Sequence, residues 1–313
     1  MLQQSLRVDS KQILAFLADE GITPSALSPF YAAEPAGNRG ARFDAGLAPL
    51  IRAVCQPSAA VSARIVSAQG DVVTRIYADK AGQMTVRHWI DPDGLHHFRQ
   101  VQEKEIAAEA VLRLMLDMPP SRLNVDAELS GAALSALLGL MDCWRERTLL
   151  SLIDRKPGPG RPFTAEESYA AFRRSINSAD RRWLTPLVQE LYPGNLDVPQ
   201  AVFTKGLQAI APKFAEAGPG AMTLSLLGEE LCASLSAPLA AIKLSVRGIK
   251  DGAIVEENMI GLRGMGIYCA MEMAGEDNGK VTLRSSSGPM IELYLHSKLA
   301  EAVRTSRASG MKK

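Results

Sequence analysis

A chain of 313 residues, 47% hydrophobic and 22% charged, can bury a large core and falls outside the intrinsically disordered class. Its formal net charge of +1 excludes a whole-molecule field that would gather nucleic acid or an anionic membrane. The four cysteines, Cys55, Cys143, Cys232 and Cys269, lie far apart in apolar stretches without a C-x-x-C pair, which predicts reduced core thiols and a cytoplasmic setting.

The opening MLQQSLRVDSKQ has no basic region followed by an apolar run, so no signal peptide is expected. DSKQILAFLADEG predicts a short helix, opened by Asp9 or Ser10 and closed by Gly21, within an N-terminal helical segment spanning 1–40. Residues 41–120 read as a first unit. A helical stretch, FDAGLAPLIRAVCQP, leads into the strands VSARIV, DVVTRIYA, MTVRHWI and HHFRQ. A helix in EKEIAAEAVLRLML follows, with Ile106, Ala110, Leu114 and Met118 as its stripe and Pro119–Pro120 as its stop. Residues 121–220 read as a helical middle region. Its apolar helix, from about Leu129 to Ile153, is broken by Asp142, Arg145 and Glu146 and is too short in apolar length to insert in a bilayer.

A flexible link near 155–163, RKPGPGRP, precedes TAEESYAAFRRSI, where Thr164 and Glu167 have capping-box spacing. SADRRWLTPLVQELYPG and VPQAVFTKGLQAIAPKF predict two more helices. Residues 221–304 read as a second unit: the helical LLGEELCASLSAP, then the strands AIKLSVRG, AIVEENMI, GMGIYCAMEM and KVTLRS, with GEDNG as a link before the last. GPMIELYLHSKLAEAV closes it as a helix with Ile291, Leu295 and Leu299 on one side. Residues 305–313 read as a disordered basic tail.

The two units share more than their order. PLAAIKLSV (Pro238–Val246) repeats PSAAVSARI (Pro57–Ile65), with Val61, Ala63 and Ile65 answered by Ile242, Leu244 and Val246. Continued without a gap, the same spacing sets Val73 on Ile254, Val86 on Ile267 and Ile90 on Met271. The fold predicted is α+β: an internal duplication of a helix–four-stranded antiparallel meander–helix unit, pseudo-twofold, with a helical insert between the copies. The second copy would cover the face or edge that the first leaves open, either in one extended sheet or face to face.

No Walker, G-x-S-x-G or G-x-G-x-x-G pattern is present, and GLRGMG reads as a hairpin turn. His96 and His97 alternate to opposite faces of a strand, so no metal site is expected, and no catalytic residue or cofactor stands out. His88 shares a strand face with Val86 and Ile90 and reads as a core histidine. Arginines between Arg145 and Arg182 are interleaved with Glu146, Asp154, Glu166, Glu167 and Asp180, as on a solvated helix surface. The candidate partner-binding residues are Trp89, Arg87, Met259, Met265 and Tyr268: adaptable thioethers and aromatic or cationic groups on the sheet strands. Met271 and Met273 alternate with Ile267 toward the core. A second reading is a small-ligand or enzyme pocket between the units, drawn from His88, Arg87, Tyr268 and Glu272. A third is a structural subunit of a larger assembly.

PSAAVSARIVSAQGDVVTRIYA followed by MTVRHWI, and then MPPSRLNVDAELSGAALSALL, resemble the EspG family, the cytosolic chaperones of type VII secretion. The resemblance implies a quasi-twofold central sheet flanked by helical bundles. It further implies a non-enzymatic cytoplasmic protein that holds a helical client and passes it to the export machinery. A homodimer is compatible with it; nucleic acid and membrane insertion are not implied. No loop carries a motif through which the family's contact residues can be placed here, and the methionines of the second unit and the insert after Ile153 depart from it.

Overall fold

The computed structural model of the chain describes residues 6–33, 43, 46–68, 70–102, 105, 123–155, 162–218, 220–265, 267–273 and 279–310. The expected helix carrying Ile106, Ala110, Leu114 and Met118, residues 156–161 of the glycine-proline link, and most of GEDNG lie outside them.

The chain opens with a short strand, β1 (Leu6–Val8), and helix α1 (Ser10–Asp19). Asp9 is the N-cap of α1 and closes a capping box with Gln12, and Gly21 takes φ +63 just past its end. After α2 (Leu47–Cys55) come β2 (Ala59–Ser67), β3 (Gly70–Ala78), β4 (Thr85–Ile90) and β5 (His96–Val101). The second half begins likewise with a strand and a helix, β6 (Asp126–Ser130) and α3 (Gly131–Ile153), Ser130 capping the helix. Four more helices follow: α4 (Ala165–Ile176), α5 (Leu184–Leu191), α6 (Gln200–Phe214) and α7 (Leu226–Leu235). A two-stranded ribbon, β7 (Ala215–Gly218) with β8 (Ala221–Leu224), separates the last two. Then come β9 (Ala240–Lys250), β10 (Ala253–Arg263), β11 (Tyr268–Met273), β12 (Lys280–Ser285) and α8 (Gly288–Gly310). Thr164 and Glu167 form the expected capping box on α4.

Among the described residues, ten strands make one antiparallel sheet in the order β1-β5-β4-β3-β2-β9-β10-β11-β12-β6. The units therefore join edge to edge, not face to face. The two quoted segments are the join: Val61 pairs with Val246, Ala63 with Leu244 and Ile65 with Ile242. Outward from that pair, each side runs through the same succession of hairpin partner, third strand, fourth strand and a short edge strand that precedes a capped helix. The edge strand of one unit thus finds its hydrogen-bond partners in the other.

Three expectations need correction. Opposite Ala63 stands Thr74, but opposite Leu244 stands Met259, where the gap-free spacing would put Val255. The second hairpin is two residues longer in each strand, turning at Asp251–Gly252 with both φ angles positive. His88 consequently occupies the place that Met271 holds in the second unit. The middle region is not wholly helical, since Asp126–Ser130 is an edge strand burying Ala127 and Leu129. Nor is the basic tail disordered as far as Gly310. RTSRASG contains no proline to stop α8, and Ser306 anchors it, donating to the Ser58 carbonyl (2.5 Å) and accepting from the Ile249 amide (3.0 Å).

The core has three main parts. α8 lays Ile291, Leu295 and Leu299 over Val61, Ala63, Ile242, Leu244 and Val246 at the centre of one face. Each of the leucine, isoleucine and valine side chains contributes roughly 1.5–3 kcal/mol by leaving water. On the other face, α1 and α2 pack on Tyr77, Val86 and Phe98 of the first unit. The bundle around α3 packs on Ile260, Leu262, Cys269, Met271, Val281 and Leu283 of the second. All four cysteines are buried and unpaired, and burial pushes the Cys143 thiol up to about 11 and Cys55 up to about 12.

Within the bundle α6 crosses α3 at Gly206, where a Cβ would stand 2.2 Å from the Ala132 carbonyl oxygen. Gly206→Val is therefore expected to force the helices apart and lower the unfolding free energy by about 2 kcal/mol or more. A urea midpoint equal to that of the wild type would show that the crossing tolerates a side chain.

Candidate functional site

Strand alternation gives the β2–β9 join two different faces. The odd residues of β2 and even residues of β9 lie under α8. The alternate residues, Ser62 and Arg64 of β2 with Lys243, Ser245 and Arg247 of β9, face the other way. On that side the α1–α2 layer covers one end of the sheet and the α3 bundle the other. Between them a polar floor remains, continued by Glu256 and Asn258 of β10 and Arg75 of β3.

The floor is tightly cross-linked. Ser245 donates to Asn258 Oδ1 at 2.5 Å, and Arg247 meets Glu256 at 2.7 Å. Arg64 pairs with Asp71 at 2.7 Å and with Glu190 at the end of α5, while Arg181 bridges the same two carboxylates, 2.8 Å from Glu190. The Arg64 hydrogen bond holds the Asp71 carboxyl below its ordinary range against the upward effect of burial, and Arg181 adds to the lowering. Burial works upward on Glu256, yet Arg247 beside it brings the net shift down. This four-charge clasp ties the β2–β3 hairpin to α5. Beside it on the same floor lies a cleft of about 580 Å³, lined among others by Tyr192, Lys243, Asn258, Met273 and Lys280.

The residues singled out from the sequence are dispersed. Trp89 is half-buried on the α8-side face, stacked on His97 with ring centroids 4.9 Å apart and Arg87 5.3 Å over its ring. Met265 is 66% exposed at the β10–β11 turn. Met259 and Tyr268 are 2% and 1% exposed, core residues beneath α8, and offer no surface to a partner. Their strand parity puts them on the α8 side, a burial that only the placement of that helix reveals.

His88 is buried on the opposite face from Arg87. Its Nε2 lies 2.9 Å from His96 Nδ1, and His96 Nε2 lies 2.7 Å from Ser10 Oγ. Because five strand spacings separate β4 from β11, His88 and Arg87 stand about 24 Å from Tyr268 and Glu272 and share no pocket with them. Of the middle-region arginines, Arg174 pairs with Glu146 at 2.6 Å and Arg182 with Asp180 at 2.7 Å on a solvated surface, as expected. Arg147, however, is buried over the Phe163 ring and bonded to Glu167, and Arg145 donates to the Ser236 carbonyl at 2.7 Å.

Sequence reasoning missed Arg64, Lys243, Arg247, Glu256 and Asn258. The signal was present in AIKLSVRG, whose Lys-x-Ser-x-Arg alternation is as regular as its apolar one. Among the described residues, no group of three or more His, Cys, Asp or Glu could hold a metal ion, and no helix is long and apolar enough to cross a membrane.

No protein-family model matches the chain, and no curated protein matches it in sequence. The architecture does recur among solved structures. The Mycobacterium tuberculosis type VII secretion system chaperone EspG5, solved in complex with a PE25–PPE41 dimer, superposes with a TM-score of 0.50 over 96% of this chain and 96% of that one, at 11% sequence identity. At that identity the likeness is one of fold, and the chain has the fold of the EspG5 chaperone.

Proposed function

We propose that this chain is a non-enzymatic chaperone or adaptor that holds a helical, export-destined client protein in the cytoplasm. The observation that carries the reading is the open polar floor at the β2–β9 join, left uncovered between two helical layers of the sheet. A helix end, about 10 Å across, fits such a trough and is recognised by polar contacts along the floor with apolar contacts at the walls. The fold supports it, since EspG5 is itself a secretion chaperone solved with a bound dimer. The wide separation of the polar third-strand groups supports binding over catalysis.

The test has two stages. Tagged protein recovered from its native cytosol is expected to carry one small helical protein, or a pair, in near-equal amounts. The complex rebuilt from purified partners should then show slowed amide exchange in β2, β9 and β10. Recovery of no helical partner, or protection confined to other elements, overturns the proposal.

A further inference from the structure

The charges on the floor narrow the kind of client. Register places Arg64 directly across from Lys243 at the join of the two units. Like charges directly opposite one another weaken an antiparallel pair, and both sit at the very centre of the sheet. Arg64 is answered by Asp71 and Glu190, and Arg247 by Glu256. Those three carboxylates bond arginines, and Lys243 feels Glu256 only as a neighbouring charge, without an ion-pair contact. Among the described residues, half-buried Lys243 has no ion-pair partner, and neither do Arg75 on the floor and Lys280 at the cleft mouth. The surplus is positive, and it is concentrated where the cleft lies: Lys243 and Lys280 line it together with Tyr192 and Met273.

We infer that the cleft takes an acidic helical tip, the turn of a helical hairpin whose carboxylates reach Lys243 and Lys280 while its apolar side chains rest on Tyr192 and Met273. The inference rests on the client-holding reading above and adds the charge class of the client to it. A cationic floor of this kind steers an acidic tip into place and rejects a basic one by repulsion. Asp71 and Glu190 already offset Arg64 within the chain, and a seated acidic tip would add the direct partner that Lys243 lacks.

The probe is a fluorescein-labelled synthetic helical hairpin made in two versions, one with Asp and Glu in its turn, the other with Lys in the same places. Fluorescence anisotropy with the full chain is expected to favour the acidic hairpin by about tenfold or more, with the preference shrinking between about 0.05 and about 0.5 M salt. The double variant Lys243→Glu/Lys280→Glu should reverse the preference. Its melting temperature should stay close to that of the wild type, because Lys243→Glu gains the opposite charge of Arg64 across the pair while losing the attraction of Lys243 for Glu256. Loss of the acidic probe without loss of folding separates recognition from structure.

Equal binding of both hairpins, or an unchanged preference in the double variant, overturns the charge assignment and leaves the client-holding reading standing. Binding of neither hairpin overturns the charge assignment too. The client-holding reading falls only if the cytosolic recovery and exchange experiment also fails.

Discussion

Asp142→Ala is expected to destabilise the protein by about 3 kcal/mol, one of the largest effects of any single polar substitution in the chain. Helix α5 starts at Leu184 behind Trp183, which provides no side-chain cap. The cap comes instead from α3: fully buried Asp142 accepts from the Leu184 amide at 3.1 Å and from the Thr185 amide at 3.2 Å. Burial pushes its carboxyl up, against the hydrogen bonds it accepts. Alanine leaves two buried N–H groups without an acceptor, whereas Asp142→Asn keeps one carbonyl oxygen there and should cost only about 1 kcal/mol. The readout is urea unfolding of both variants, with amide exchange across α5. Because α5 carries Glu190 and leads to Tyr192, loss of the cap should also disturb the cleft and weaken the client binding proposed above. Two variants that unfold like the wild type would remove Asp142 from this role.

Acid is expected to loosen the first unit. Burial, and to a lesser degree His96, Arg75 and His97 nearby, lowers the His88 imidazole from its ordinary value to about 3. His96 is lowered as well, chiefly by burial and against the pull of Asp9. A histidine held neutral in the folded state contributes its full stability above the unfolded value near 6.5, and that contribution is lost as pH falls toward about 3. Between pH 7 and pH 5, His88 alone should cost about 2 kcal/mol. His88 and His96 sit among Phe30, Tyr77 and Phe98 with Ser10 of α1, so the opening should begin where α1 packs on β4 and β5. The check is unfolding free energy against pH for the wild type and for His88→Leu. The variant starts less stable, since it strands His96 Nδ1, but its slope between pH 7 and 5 should be clearly shallower. Equal slopes would place the acid sensitivity elsewhere.

Much of the architecture was legible because alternation and capping are local. VSARIV and AIKLSVRG carry their apolar faces at every second residue, and Asp9 and Thr164 carry their own cap signatures. The units themselves, and the choice of Ala63 and Leu244 as matching positions, followed from that. What was not legible depends on distant partners. LRV and DAELS are too short to alternate convincingly, and they become strands only because β5 and β12 offer free edges to them. The extra length of the second hairpin was hidden because valine, isoleucine and methionine match one another at almost any register. The cleft was missed for a similar reason. A strand shows two faces, and only the placement of helices decides which one is left uncovered; here it is the face of Lys243, and the face of Met259 lies under α8.

The join at Ala63 and Leu244 also dictates a schedule. During synthesis the strands of the first unit are complete while the edge of β2 still lacks its neighbour, since about 180 residues separate the paired positions of β2 and β9. Closing so long a segment costs on the order of 4–5 kcal/mol of chain entropy before any contact returns it. Topologies of this kind fold slowly and expose an open strand edge meanwhile. Helix α8, whose Ser306 bonds to the Ser58 carbonyl across 248 residues of sequence, is made after every strand and can settle over the join only then. The chain therefore passes through a vulnerable interval of its own during synthesis, between the emergence of β2 and the docking of α8.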